Sequence, residues 1–320
     1  MESAIYQESR RNFLRNTLIT GTFLPLIPES LFAMNDRTPP DRLKIHIFSK
    51  HLQFLGYKDL AQAAADMGFD GVDLTVRPNG HVSPERVEDD LPKAVEAFKE
   101  AGLHPLLMTN AVGDAANASD KKVLETAARL GFKYYRMNWY AYPEGKGIPE
   151  SIVDLREKVK GLGSLNKELG LTGCYQNHAG LSIGSNIWEI WELLKDADKE
   201  HMGVQYDIRH AMVEGFSSWQ NGLRLIRQQI KMLTVKDFRF GQKNGVTVVE
   251  DVPIGQGLID FKGYFKLVKE YGLDVPFTLH IEYPLGGAEH GDRKISIDKQ
   301  EVFKAMKSDL QKIHRLWQEA

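Results

Sequence analysis

The sequence predicts a single (β/α)8 barrel of the TIM type over residues 43–320, preceded by a short export segment. Three observations predict it. A short apolar run, a polar turn and an amphipathic helix recur eight times from Leu43 onward, and eight such units fit the usual barrel length of about 250 residues. The helical segments repeatedly stop at glycine. Polar residues repeatedly close the apolar runs, which in a barrel gathers them at one mouth.

The expected strands are 43–48, 71–75, 104–109, 133–137, 171–176, 202–207, 231–236 and 277–282. Between them the apolar spacing is near 3.6. Leu60, Ala64 and Met67 share one helix face, as do Val87, Leu91, Val95 and Phe98, and Ile187, Ile190, Trp191 and Leu194. Gly68, Gly102, Gly131, Gly170 and Gly272 mark helix ends. Ser83 followed by Pro84 and Glu85 reads as an N-cap with proline in the first turn. The stretch between Lys236 and Ile254 reads as a loop, and Asp260 as the cap of the helix after it. A doubly wound open sheet is the competing fold. It calls for a glycine-rich phosphate loop after the first strand, where this chain has Ser49-Lys50-His51-Leu52-Gln53. No nucleotide cofactor is expected.

The 320 residues are 42% hydrophobic and 26% charged, an ordinary globular balance, and the chain is long enough to bury a core without covalent staples. The net charge of −2 and the interleaving of acids with bases, as in Arg156-Glu157-Lys158, argue against a nucleic-acid partner, which needs a basic face. The single cysteine, Cys174, forms no intramolecular disulfide and sits in an apolar run as a small hydrophobe.

Residues 1–34 differ from the rest. Ser9-Arg10-Arg11-Asn12-Phe13-Leu14-Arg15 precedes a mostly apolar stretch broken by Gly21, Pro25 and Pro28. The pattern resembles a twin-arginine export signal, and it is too short and broken for a spanning helix of about 20 apolar residues. Residues 35–42 read as a linker. The expectation is a periplasmic or cell-envelope protein with no transmembrane span in its mature chain.

The strand ends carry the candidate chemistry. The fourth run closes with Arg136, Asn138 and Trp139, and the fifth with Gln176, Asn177 and His178. The sixth closes with Asp207, then Arg209 and His210, the seventh with Lys236 and Asp237, and the eighth with His280, Glu282 and Tyr283. Burying so many polar groups is costly unless they pair with one another or meet a ligand. Trp139, Tyr140, Tyr175 and Tyr283 offer aromatic faces beside them, and Glu289-His290 lies in the last loop.

These strand ends, with Gly68-Phe-Asp-Gly-Val-Asp73, Gln176-Asn-His-Ala-Gly180, Asp207-Ile-Arg-His210, Val235-Lys-Asp237 and the stretch from Ile254 to Phe261, resemble the sugar phosphate isomerase/epimerase-like family, the xylose isomerase-like TIM barrels. The resemblance implies chemistry in which a proton moves beside a carbonyl, and one divalent metal (Mn, Mg, Zn or Co) held by Glu, Asp, His and Glu at the ends of the fifth to eighth strands. Here those positions read Gln176, Asp207, Thr234 and Glu282, so two of the four depart from the pattern. Either His178 or His210 replaces the missing imidazole, or the barrel works without metal, with Glu282 as base and Lys236 or Arg136 facing the enolate oxygen.

The expected catalytic residues are therefore Glu282, Lys236 and His178, with Arg136, Asn138, Trp139, His210 and His280 binding substrate. The implied partner is a small carbohydrate, non-phosphorylated in an exported setting; oligomeric state is not readable. The implied function is a sugar isomerase or epimerase. A lyase or hydratase on a keto-sugar or keto-glycoside is the alternative, and a non-catalytic carbohydrate-binding barrel the alternative of another class. An endonuclease on abasic DNA shares the barrel but conflicts with the charge and the changed ligand positions.

Overall fold

The structure, a computed structural model, describes residues 42–320. The expected export segment, and the expected linker up to residue 41, lie outside the described residues. Eight parallel strands form the barrel: β1 (Ile45–Phe48), β2 (Gly71–Val76), β3 (Leu107–Asn110), β4 (Tyr134–Arg136), β5 (Thr172–Gln176), β6 (Met202–Asp207), β7 (Ile230–Val235) and β10 (Phe277–Leu279). Closure comes from β10 pairing with β1 through Phe277 opposite Ile45. Every expected strand is present.

The helices are α1 (Tyr57–Met67), α2 (Val87–Glu100), α3 (Ala118–Leu130), α4 (Ile148–Leu169), α5 (Ile187–Leu193), α6 (Ile208–Gly215), α7 (Trp219–Ile226), α8 (Phe261–Glu270) and α9 (Lys299–Gln318). Each buries one apolar face: Leu60, Ala64 and Met67 of α1 are buried, as are Val87, Leu91, Val95 and Phe98 of α2. Gly131 ends α3 in the left-handed region, with φ 99°, where a side chain would be strained. Asp260 caps α8 by accepting from the Gly263 N–H at 3.0 Å. No helix among the described residues is long and apolar enough to cross a membrane.

The main core lies between barrel and helices. Leu107, Cys174 and Met232 form a separate apolar cluster. They come from β3, β5 and β7, so they are one interior layer built by alternate strands. Burial pushes the Cys174 thiol up, in keeping with its expected role as a small hydrophobe.

Two expectations are corrected. Ser83 makes no N-cap hydrogen bond to the backbone; its hydroxyl donates to Glu85 instead, and a 3-10 turn (Pro84–Arg86) precedes α2. The expected loop after Lys236 is an antiparallel hairpin of β8 (Asp237–Lys243) and β9 (Val246–Val252). Its turn is Asn244-Gly245, with φ 54° and 76°. Two consecutive positive φ values are the turn that matches strand twist.

Candidate functional site

The polar groups meet at the C-terminal ends of the strands. Asp207 ends β6 and is fully buried. Its Oδ1 caps α6 by accepting from the His210 N–H at 3.2 Å. Its Oδ2 accepts from Gln176 Nε2 at 3.0 Å and lies 3.3 Å from Lys236 Nζ. Asn177 clamps the end of the strand: its Oδ1 accepts from the Asp207 N–H at 2.8 Å and its Nδ2 donates to the Asp207 carbonyl at 2.9 Å.

Lys236 follows β7 directly. Its side chain is 3% exposed, and Nζ donates to Glu282 Oε2 at 3.0 Å and lies 2.8 Å from His210 Nε2. Glu282 lies three residues beyond β10 and also accepts from Lys50 Nζ at 3.3 Å. Burial alone would raise the Glu282 carboxyl, but the Lys236 and Lys50 ammonium groups outweigh it and hold it well below the usual carboxylate range. Glu282 is therefore ionised at neutral pH. At Asp207 burial wins and the carboxyl is raised, although Lys236 opposes the shift.

The histidines are kept neutral. His210 is buried, with Nε2 facing Lys236 and Nδ1 facing Arg209 Nη1 at 3.1 Å. Burial and these cations push its pKa well down. His178 lies against His210, ring centroids 4.0 Å apart, and against Trp139 at 4.5 Å. Burial, then Lys236, lowers its pKa to about 4. Its Nδ1 donates to the Ala179 carbonyl at 3.0 Å, which leaves Nε2 as the lone-pair nitrogen. His280 is buried and stacks on Phe48 at 4.2 Å, with Nδ1 4.0 Å from Glu282 Oε1.

Arg136 donates to Gln176 Oε1 at 3.1 Å and sits 4.2 Å from the Trp139 ring. Burial pushes its pKa down to about 9. Trp139 is held by its indole N–H donating to the Gln176 carbonyl at 3.1 Å. Asn138 is exposed past the end of β4.

Other candidates do not join this group. Tyr175 is buried, donates to the Ile183 carbonyl and accepts from the Tyr140 N–H. It lies between Gln176 and Cys174, whose side chains face the barrel interior, so alternation turns it outward. Tyr140 donates to the Gly113 carbonyl and Tyr283 to Asp309 Oδ2. Glu289 accepts from the Leu285 and Gly287 N–H groups and holds the last loop together.

Some residues escaped the sequence reading. Lys50 follows β1 and Arg77 follows β2, so the strand-end rule applied to the earlier strands finds both. Arg77 is mostly buried, 5.6 Å from the Phe48 ring centroid, and burial lowers its pKa. His51 sits under Glu282: its Nε2 accepts from the Ile281 N–H at 3.0 Å and its Nδ1 donates to the Ala288 carbonyl at 3.4 Å. The hairpin supplies Asp251, which accepts from Arg209 Nε and Nη2 at 2.9 and 3.0 Å. Asp237 accepts from the N–H groups of Phe238, Gly255, Gly257 and Ile259. A Cβ at Gly257 would collide with its Oδ1, which explains the glycine.

Asp73, on β2, is fully buried and accepts from Thr109 Oγ1 at 3.0 Å, while its Oδ2 has no partner. Burial pushes its pKa from 3.8 up to about 6. The folded state then binds the proton more tightly than the unfolded one, so stability falls as pH rises from 3.8 to 6. Asp73→Asn is expected to stabilise the fold at pH 8 by up to about 3 kcal/mol and to do less at pH 5. Urea denaturation at both pH values checks this; equal destabilisation at both would overturn it.

The four positions at which the resemblance implies a divalent metal carry Gln176, Asp207, Thr234 and Glu282. Gln176 has one atom able to ligate, Oε1, and Arg136 donates to it. Thr234 is buried with its hydroxyl unpartnered, and a neutral hydroxyl is a weak ligand. Asp207 and Glu282 converge on Lys236 Nζ. Among the described residues, no group of three or more His, Cys, Asp or Glu is arranged to hold a metal ion. These residues do not fit a divalent cation.

Solved structures share this fold at low identity. A D-psicose 3-epimerase, in the presence of D-fructose, matches with a TM-score of 0.64 and 14% identity, over 86% of this chain and 100% of its own. A 3-keto-D-glucoside 4-epimerase from E. coli matches at 0.63 and 12%, over 85% and 100%. The IOLI protein with a bound zinc atom matches at 0.67 and 16%, over 86% and 99%. No curated protein matches the chain. The model of the xylose isomerase-like TIM barrel family matches residues 61–306. On that match, which takes in every barrel strand from β2 to β10, the chain belongs to the xylose isomerase-like TIM barrel family.

Proposed function

We propose that this barrel is an isomerase or epimerase that moves a proton beside a carbonyl of a non-phosphorylated sugar or sugar derivative. The observation that carries the reading is the pairing of two proton acceptors, the Glu282 carboxylate and the open Nε2 of His178, around the cations Lys236 and Arg136. The acceptors follow β10 and β5, three strands apart around the closed barrel, so they approach a bound sugar from different sides.

In the proposed step Glu282 takes the proton from carbon as the C–H bond breaks. The electron pair moves to the carbonyl oxygen, where Lys236 and Arg136 face the developing charge. The proton returns to the neighbouring carbon in isomerisation. In epimerisation the opposite face is protonated instead: Nε2 of His178 takes a proton from solvent and passes it to the carbon, while Glu282 releases the proton it took to solvent. Binding also tunes the base. A carbonyl oxygen that draws Lys236 toward itself weakens the ion pair holding Glu282 down, so its basicity rises when substrate is in place. Trp139 offers an aromatic wall for a sugar C–H face. The epimerase names among the structural neighbours support the reaction class, and the twin-arginine pattern supports a periplasmic or envelope setting.

The test is solvent deuterium wash-in. The purified chain is incubated in deuterated buffer with ketoses, keto-sugars and keto-glycosides, and deuterium beside the carbonyl is followed by NMR. Wash-in with an isomeric or epimeric product supports the proposal. Wash-in with loss of a leaving group makes the protein a lyase. Saturable sugar binding without wash-in makes it a carbohydrate-binding barrel.

A further inference from the structure

One of the barrel's own side chains, Lys236, sits among the acidic and imidazole groups of the mouth. Lys236 Nζ lies 3.0 Å from Glu282 Oε2, 3.3 Å from Asp207 Oδ2 and 2.8 Å from His210 Nε2. Two carboxylates and an imidazole are the donors a divalent cation selects. A cation bonded to those oxygens at about 2.0–2.3 Å would compete with Nζ for the same donor atoms.

The surroundings agree with this placement. The lysine side chain is 3% exposed, so an unpaired ammonium there would be costly. The two carboxylates are balanced by two ammonium groups, since Lys50 takes the other oxygen of Glu282 at 3.3 Å. A divalent ion added to that balance leaves an excess of positive charge in a buried site, beside Arg136. Thr234 pairs in register with Asp207 on one side and Thr278 on the other, and offers no imidazole. Gln176 is neutral, and it uses both ends of its amide inside the protein, on Asp207 and Arg136.

We propose that the ammonium of Lys236 permanently takes the place of the catalytic divalent cation, so that this protein binds no metal at its barrel mouth. Under the proton-transfer reading above, on which this role rests, Lys236 is the resident electrophile opposite the carbonyl oxygen. The exchange trades a removable ion for a fixed charge. It makes the site independent of metal supply and insensitive to chelators.

The experiment reads metal, not turnover, so it stands or falls separately from the assay of the reaction. Untagged protein purified without chelator is analysed by elemental mass spectrometry, and Mn2+, Mg2+, Zn2+ and Co2+ are titrated by calorimetry and thermal shift. The expected result is less than about a tenth of an equivalent of metal and a melting temperature that EDTA does not move. The double variant Thr234→His/Lys236→Ala restores an imidazole and empties the seat, and is expected to bind Zn2+ at least tenfold tighter than the natural chain. One equivalent of metal in the natural protein, lost in Glu282→Ala, would overturn the proposal. So would a folded double variant that gains no affinity. If the double variant does not fold, the metal content of the natural chain decides alone.

Discussion

Glu282→Gln is expected to lower the rate of proton exchange by about 10²–10⁴-fold, the usual contribution of a positioned general base. Glutamine keeps the length and one acceptor oxygen but cannot take a proton. The fold should survive. Lys236 retains Asp207 at 3.3 Å, and Lys50 and the Glu282 side chain are 20% and 24% exposed, so water reaches both. Sugar affinity should change much less than turnover, because what is lost acts on the transition state. His178→Gln separates the two faces. If His178 serves the opposite face, this variant loses interconversion of epimers yet keeps deuterium wash-in at the Glu282 side. Wild-type wash-in in Glu282→Gln, measured by NMR, would remove Glu282 from the mechanism.

The barrel was legible because each strand is a short apolar run closed by a polar residue, and burial on both faces demands that pattern. The eighth barrel strand was read as 277–282 and ends at Leu279. His280 still donates its N–H to the Val235 carbonyl at 3.1 Å, but the chain then turns to bring Glu282 over the mouth. The hairpin is harder to read: Asn244-Gly245 is a strong hairpin turn signal, but its two strands are mostly exposed and give no buried apolar run.

At the site, residue types were readable and directions were not. Asp207, Lys236, His210 and Glu282 were all visible as strand-end polar groups. That Lys236 points at the other three depends on rotamers and on the curvature of the barrel. Tyr175 shows the opposite case. It is expected beside the strand-end polar groups, but Gln176 next to it faces the mouth, so two-residue alternation turns the tyrosine to the outer face, where it bonds Ile183 and Tyr140.

The fold is expected to be acid-labile, losing stability as pH falls from 6.5 toward 4. His46 and His51 are buried and His81 partly so, and burial above all lowers their pKa values to about 4, 3 and 4. A histidine with a depressed folded pKa is neutral in the native state while the unfolded chain takes up a proton below 6.5, so unfolding is favoured as pH drops. Each such shift amounts to at most about 3–5 kcal/mol. Asp73 and Asp309, both raised to about 6, work against this between pH 6 and 3.8, by at most about 3 kcal/mol each. His178, His210, His280 and His314 are lowered too, and Asp207, Asp237 and Asp251 raised, so seven lowered histidines stand against five raised aspartates, and between pH 6.5 and 6 the histidines lead. The net loss is several kcal/mol, a large part of the 5–15 kcal/mol that holds a typical domain together. His51 ties this to function, because protonating its Nε2 removes the acceptor of the Ile281 N–H and loosens the segment that carries Glu282. Melting temperature should therefore fall steeply below pH 6 by calorimetry, with proton uptake on unfolding. A melting temperature constant from pH 7 to 4.5 would mean that these rings are protonated in the folded protein and that the barrel mouth is wetter than its packing indicates.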